Sequence, residues 1–352
     1  MVNKKTGRVP SSSEAAKKTS KKNSNDALEQ LFEPVLDDSE SPAIDPQSLQ
    51  ADLEDATLLE DLGSLDAIED LQDIAASIEE PLELVSSPVV AAELSDDPVR
   101  LYERFATLQA VSSGRAEIIL GRGSFTESFP LFGYDLHDYE VLFEEKLDLF
   151  HQLRAEQPVT WSGRTRAALT DADVFPKTET PIPTWIGVGG SPESVVRTAR
   201  YGFGLLLAII GGSPARFRPY VDLFHRSTAS FGHGALPVGV HSPGHIADTD
   251  EEAWEQLYPA MEYNRNAIGR ERGWPPYSRA QFAHDVSPEG AIYAGSPERV
   301  AQKIADAVRT LDLDRFDLKF SNGTLSHARM LRSIELYGTV VVPRVRELLS
   351  GE

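Results

Sequence analysis

Two glycine-rich segments of this sequence carry residue types suited to binding an anionic ligand. The first is Gly121-Arg122-Gly123-Ser124, which directly follows an apolar run typical of a buried strand. Glycine lets the backbone approach a ligand closely, and an arginine guanidinium presents a planar fork that fits a phosphate group. The segment is therefore a candidate phosphate-binding loop, or alternatively an ordinary turn between a strand and a helix.

The second segment covers residues 187–194, with the sequence GVGGSPES, and shows the same order of strand, glycines and helix start. The free N–H groups at a helix N-terminus attract anions, and the hydroxyls of Ser191 and Ser194 would add donors. Gly189 and Gly190 would let the backbone come close to the ligand. The glycine spacing is not that of a dinucleotide-binding fingerprint. An anion cradle and a capped turn both remain open.

The histidines give one candidate for catalysis. His241 and His245 are four residues apart, but the intervening Pro-Gly pair breaks any helix, so they do not share a metal-binding face and no metal site is predicted. His241 lies near the end of a predicted strand, where it would face a ligand or serve a structural role. His327 follows the last predicted strand and is a candidate for the pocket mouth. Glu127 and Asp135 are either polar pocket residues or solvated loop carboxylates.

The elements that would position these residues alternate between short apolar runs and helix-patterned segments. This rhythm is typical of a parallel sheet covered by helices. The predicted strands are residues 82–86, 116–121, 184–189, 205–210, 236–243 and 316–320. The predicted helices are residues 98–111, 138–154, 192–201, 214–231, 249–268, 297–311 and 325–349. Several of these helices start with a capping residue followed by proline, as in Asp97-Pro98 and Ser191-Pro192.

Composition sets the outer limits of function. The chain has 352 residues, no cysteine and a net charge of -21, which speaks against nonspecific nucleic-acid binding and excludes thiol chemistry. No apolar run reaches the length of a membrane helix and no secretory signal is recognisable, so a cytoplasmic protein is expected. Residues 1–25 are basic and typical of a disordered tail. Residues 26–80 are acidic, with apolar residues at helical spacing, and are interpreted as a disordered extension or as weak helices that need a partner surface.

Five collinear runs resemble bacterial-luciferase-like, flavin-dependent monooxygenases. They begin with GRAEIILGRGSFTESFPLFGYDLHDYEVLFEEKLDL (residues 114–149) and PTWIGVGGSPESVVRTARYGFGLLLAIIGG (residues 183–212). They continue through LPVGVHSPGHIADTDEEA (residues 236–253), YAGSPERVAQKI (residues 293–304) and RFDLKFSNGTLSHARMLRSIELYG (residues 315–338). The resemblance implies a (β/α)8 barrel with its active site at the C-terminal ends of the strands.

The same resemblance implies roles for individual residues. Arg122 matches the arginine that binds the flavin phosphate, and Ser191 and Ser194 match positions that complete this site. Gly123 and Ser124 fall where the chain passes close to the flavin. These positions agree with the anion cradle inferred from the residues themselves.

The implied activity is oxygenation of a small organic substrate by O2 and reduced FMN, with the FMN supplied by a separate flavin reductase. Related barrels use a deazaflavin coenzyme instead, and a catalytically inactive barrel remnant with an acidic interaction segment is a third alternative. A homodimer is implied as well.

The first two strands of the family pattern, with a histidine-bearing motif, have no counterpart before residue 80. The predicted fold is therefore an α/β (β/α)8 barrel that is incomplete at its N-terminal strands. The predicted domains are an extension at residues 1–80 and a barrel domain at residues 81–352.

Overall fold

The computed structural model describes residues 89–93, 96–121, 128–178 and 180–351. The strand predicted at residues 82–86 and the extension predicted for residues 1–80 lie outside these residues. All other predicted strands and helices are present in the described part of the chain, with shifts of a few residues at their ends.

A curled sheet of parallel strands forms the centre of the fold. Its strands run in the order β1-β2-β5-β6-β7, and β7 then pairs with β9 along its first half and with β8 along its second half. Strands β3 and β4 form a separate antiparallel hairpin that the sequence patterns did not predict. The bounds are β1 Val89–Glu93, β2 Glu117–Gly121, β3 Val159–Trp161, β4 Leu169–Ala172, β5 Thr184–Val188, β6 Gly204–Ala208, β7 Val238–Ile246, β8 Tyr293–Gly295 and β9 Arg315–Lys319.

Helices connect the parallel strands and cover one face of the sheet. Their bounds are α1 Pro98–Val111, α2 Ser128–Leu131, α3 Tyr139–Leu153, α4 Pro192–Arg200, α5 Arg218–Ser230, α6 Asp250–Arg272, α7 Arg279–Asp285, α8 Pro297–Leu311, α9 His327–Leu336 and α10 Val342–Ser350. Short 3-10 turns precede α3 and α5, and a π-helical turn at Tyr337–Val341 joins α9 to α10. The single long helix predicted at residues 325–349 is thus two helices with an irregular turn between them.

Side-chain caps mark the start of several helices, among them α1 and α4, where the sequence predicted them, whereas Ser296, predicted to cap α8 in the same way, forms no such hydrogen bond. The Asp97 carboxylate accepts the backbone N–H of Val99 at 2.9 Å at the start of α1. The Ser191 hydroxyl accepts the N–H of Ser194 at 3.2 Å at the start of α4. Each cap satisfies one of the N–H groups that a helix leaves without an acceptor in its first turn.

The two faces of the sheet differ in what they contact. Alternate residues such as Ile118, Leu120, Leu205 and Leu207 are fully buried in the core between the strands and the helices. The residues between them point to the inside of the curl, and they include Glu117 on β2, which forms an ion pair with Arg315 on β9. Because β2 and β9 are four strand positions apart, this contact shows that the sheet is strongly curled, as the wall of a barrel is.

The described strands amount to part of a barrel. Within the described residues, β1 pairs only with β2, and β9 pairs only with β7. The prediction of a TIM-barrel-like fold that is incomplete at its N-terminal strands is therefore confirmed for this part of the chain. Among the same residues, no helix combines the length and the apolar character needed to span a membrane.

Candidate cofactor site and active site

The loop between β5 and α4 forms a corner at the C-terminal edge of the sheet. Gly190 has a φ of 124°, a conformation that L side chains rarely adopt. A Cβ atom on Gly190 would lie 3.7 Å from Cε1 of Phe217 and 3.8 Å from the hydroxyl oxygen of Tyr220. Around Gly189 there is open space for a Cβ atom. The glycines therefore allow a turn that is backed by aromatic groups on one side and open at Gly189.

The two serines of this corner differ in their hydrogen bonds. The Ser191 hydroxyl donates to Oε2 of Glu193 at 2.6 Å while it caps Ser194, so its proton is already engaged. The Ser194 side chain is 5% exposed, and its hydroxyl has no hydrogen-bond partner among the residues that the structure describes. A buried hydroxyl without a partner costs free energy in the folded state, and such groups are rare unless a ligand or water completes them.

These features fit a phosphate group. The first turn of α4 offers backbone N–H groups, the positive end of the helix dipole and the unpaired Ser194 hydroxyl. Glu193 is the one carboxylate in that first turn, and its contact with Ser191 keeps it at the exposed end of the corner. The structure therefore places Gly189, Gly190, Ser191 and Ser194 in one corner, where the Ser191 proton is already engaged by Glu193. Their role in binding a cofactor stays a prediction.

The other predicted cofactor-binding residues, Arg122, Gly123 and Ser124, lie outside the described residues, as does Glu127. The strand that leads to them is β2, and its Leu120 pairs with Ile186 on β5. Gly121, the last residue of β2, thus lies on the strand beside the one that leads to the α4 corner. Their role as phosphate-binding residues stays a prediction.

His241 lies on the inner face of the curl. In the register of the sheet it pairs with Ala208 on β6 and with Asp317 on β9. Its ring is largely withdrawn from water, and this burial lowers the pKa of His241. The Asp317 carboxylate opposes the shift, whereas the Lys319 ammonium adds to it. A neutral imidazole facing the inside of the barrel can accept or donate a proton at a bound ligand.

A charged network lies next to His241. Nε of Arg315 donates to both carboxylate oxygens of Asp317, at 2.9 and 3.0 Å, and the guanidinium also pairs with Glu117. Its carbon Cζ lies 5.4 Å from the ring centroid of Trp185. The network links three strands across the inside of the curl, and each of its charges has an opposite charge beside it.

The remaining candidate residues lie away from these groups. His245 is fully buried on the helix side, where its Nε2 lies 2.8 Å from Oε1 of Gln256 on α6, so it packs against that helix. His327 is exposed at the first position of α9. Asp135 is exposed beside His137. Hydrogen bonds from the backbone and the side chain of His137 lower the pKa of the Asp135 carboxyl. Neither His245 nor Asp135 belongs to the inner face of the sheet.

Sequence reasoning did not identify Tyr220, which approaches the α4 corner from α5. Tyrosine on an amphipathic helix is a common core residue, and no motif surrounds this one. Burial raises the pKa of Tyr220, against the opposing charge of Arg216 and with a smaller contribution from Glu193.

A curled parallel sheet covered by helices, with a phosphate-type corner at the C-terminal ends of its strands, defines a protein of the TIM-barrel class. The family model for luciferase-like monooxygenases matches residues 80–314, and the chain belongs to this family. Membership supports assignment of the protein as an oxidoreductase.

Solved structures show the same fold. The chain resembles the monooxygenase RslO1 from Streptomyces bottropensis, with a TM-score of 0.63, 19% identity and coverage of 72% of this chain and 77% of that one. It also resembles the oxygenating constituent of 3,6-diketocamphane monooxygenase from Pseudomonas putida in complex with FMN (TM-score 0.53, 14% identity, coverage 72% and 77%). An F420-dependent secondary alcohol dehydrogenase in complex with an F420-acetone adduct is similar to the same extent (TM-score 0.56, 17% identity, coverage 73% and 78%).

Proposed function

We propose that the protein is an FMN-dependent monooxygenase that oxygenates a small organic molecule. The observation that carries this proposal is the buried, unpartnered hydroxyl of Ser194 in the first turn of α4. FMN ends in a phosphate monoester, and a helix N-terminus with an additional hydroxyl donor is suited to such a group. When bound in its reduced state, FMN supplies the electrons that activate O2 for transfer of one oxygen atom to the substrate.

The chain's own residues would bind and orient this cofactor. Gly189 and Gly190 allow the backbone to approach the phosphate, and Ser194 donates a hydrogen bond to it. Arg122 supplies a balancing positive charge from the loop after β2. His241, neutral because of its burial, holds a proton-accepting nitrogen toward the inside of the barrel, where the substrate would react. A separate flavin reductase supplies reduced FMN, and residues 81–352 form the catalytic domain.

The second candidate is an oxidoreductase that uses a deazaflavin coenzyme. It is favoured by the similarity to the F420-dependent alcohol dehydrogenase, whose TM-score is close to that of the FMN-containing structure. Both cofactors carry a phosphate, so the α4 corner by itself suits either one. Phe217 and Tyr220 close the corner behind Gly190, so the corner suits a ligand that ends at its phosphate. FMN is preferred because it ends in this way.

The test measures binding of FMN and of the deazaflavin coenzyme to the purified full chain by quenching of cofactor fluorescence. Arg122→Ala should weaken FMN binding at least tenfold, about 1.4 kcal/mol. The matched control is Arg115→Ala, since Arg115 is exposed before the N-terminal end of β2, the opposite end from Arg122. It should leave binding unchanged. Binding of the deazaflavin coenzyme alone would favour the second candidate, and binding of neither would refute both.

A further inference from the structure

Tyr220 brings a hydroxyl group to the α4 corner from a different part of the chain. It lies in the first turn of α5, is 7% exposed, and its ring centroid is 5.8 Å from that of Phe217. Its hydroxyl oxygen is 3.8 Å from the position of a Cβ atom on Gly190. The Tyr220 hydroxyl therefore faces the loop between β5 and α4 at the point where Gly190 takes its unusual conformation.

The Tyr220 hydroxyl forms no hydrogen bond with any other described residue. Buried tyrosines usually place this group against a protein partner or in contact with water. The Tyr220 oxygen, unlike that of Ser194, is not among the fully buried atoms without a partner, so it keeps contact with solvent, where a ligand can reach it. Tyr201, at the opposite end of α4, shows the usual arrangement, with its hydroxyl 3.1 Å from Oε1 of Glu144. Two hydroxyls without a partner among the described residues, those of Ser194 and Tyr220, thus flank the same glycine turn although they belong to different helices.

We infer that the Tyr220 hydroxyl is a second hydroxyl donor to the phosphate bound at the N-terminus of α4. This inference rests on the proposed function, since it assumes that the corner holds a phosphate. The phenol and the Ser194 hydroxyl would donate to different phosphate oxygens, and the backbone N–H groups of the first turn would serve the remaining one. Such a set suits a terminal phosphate monoester, which has three non-bridging oxygens, better than a phosphodiester, which has two.

The experiment compares FMN with riboflavin, which has the same ring system and ribityl chain but no phosphate. Dissociation constants for both are measured by fluorescence quenching with the full chain, Tyr220→Phe and the control Tyr201→Phe. Tyr220→Phe should raise the dissociation constant for FMN about tenfold, as expected for a hydrogen bond to a charged group, and that for riboflavin less than twofold. Tyr201→Phe removes a hydroxyl from the far end of the same helix and should change neither.

The other possible outcomes all overturn the inference, and the measured dissociation constants distinguish them from one another. If the unaltered chain binds FMN more tightly than riboflavin and Tyr220→Phe leaves this ratio unchanged, Tyr220 is not a phosphate donor, although the proposed function stands. If Tyr220→Phe weakens FMN and riboflavin equally, its role is packing. If the unaltered chain binds neither ligand, the proposed function fails and the inference with it. Thermal unfolding of each variant verifies folding, and Ser194→Ala combined with Tyr220→Phe should weaken FMN more than either change alone.

Discussion

Two polar regions on the same sheet differ in whether their groups are satisfied. At the α4 corner, the hydroxyls of Ser194 and Tyr220 form no hydrogen bond with another described residue, and that of Ser194 is fully buried as well. Inside the curl, by contrast, Arg315 meets Asp317 and Glu117, so every charge of that network is balanced. A polar group that stays unsatisfied costs stability and is typical of a binding site, whereas a satisfied network supports the fold. Ser194 and Tyr220 are therefore candidate binding groups, whereas Arg315, Asp317 and Glu117 are candidate structural groups.

Arg315→Met should have the largest effect, because it leaves two carboxylates without their cation inside the curl. The expected loss in the free energy of unfolding is about 2 to 3 kcal/mol, below the range for a fully buried pair since the side chains keep some contact with water. Urea unfolding would measure it as a shift in the midpoint.

The matched control for this change is Arg332→Met. Arg332 also contacts two carboxylates, those of Asp248 and Glu335, but its side chain is 46% exposed. Exposed ion pairs contribute about 1 kcal/mol or less. Equal losses in the two variants would show that the network inside the curl contributes no more to the free energy of unfolding than an ion-pair cluster on the surface does.

Ser194→Ala should have an intermediate effect, and on binding rather than on stability. The hydroxyl has no partner to lose, so the free energy of unfolding should stay within about 0.5 kcal/mol of the original value. The dissociation constant for FMN should rise about tenfold, because a donor to the charged phosphate is removed. Fluorescence quenching and urea unfolding on the same samples would check both.

Thr198→Val, one turn further along α4, should have the opposite effect to Ser194→Ala, since it should lower stability and leave FMN binding unchanged. Its hydroxyl is equally buried but donates to the backbone carbonyl of Ser194 at 2.7 Å. Removing it should lower stability by about 0.5 to 1 kcal/mol and leave FMN binding within twofold. If Ser194→Ala destabilised the protein and spared FMN, the unpaired hydroxyl would be an ordinary packing feature rather than a ligand group.

The sequence predicted the α4 corner well because its signals are local. Glycine, a capping serine and proline at the first helical position act within a few residues, and α4 begins at Pro192 as predicted. The charged network was not predicted, because Glu117 and Arg315 are 198 positions apart and meet only when the sheet curls. Tyr220 was missed for the same reason, since only tertiary packing brings α5 to the corner.

Strand β7 shows a second limit of local reasoning. Proline within a strand removes a ladder hydrogen bond, so the sequence pattern predicted an end at Pro243. The strand continues to Ile246, because at this point it changes its partner from β9 to β8. Pro243 still pairs with Lys319 in register, and Gly244 already pairs with Tyr293. A proline at the point where a strand changes its partner strand does not interrupt a continuous ladder of hydrogen bonds. Only the sheet topology shows that Pro243 lies at such a point.

The smallest expected effect concerns His241, which connects the two regions because it faces the ligand space and lies beside Asp317. Its pKa is below the ordinary 6.5 because of burial, with Asp317 opposing and Lys319 assisting the shift. As the pH falls through 6.5, the unfolded chain therefore binds a proton that the folded chain does not, and the free energy of unfolding decreases until the folded pKa is passed. His241→Asn should make the free energy of unfolding less dependent on pH below 6.5, by an amount smaller than the changes expected for the other variants. An unchanged slope in His241→Asn would show that His241 is not held neutral by the fold, and its assignment as a proton acceptor would fail.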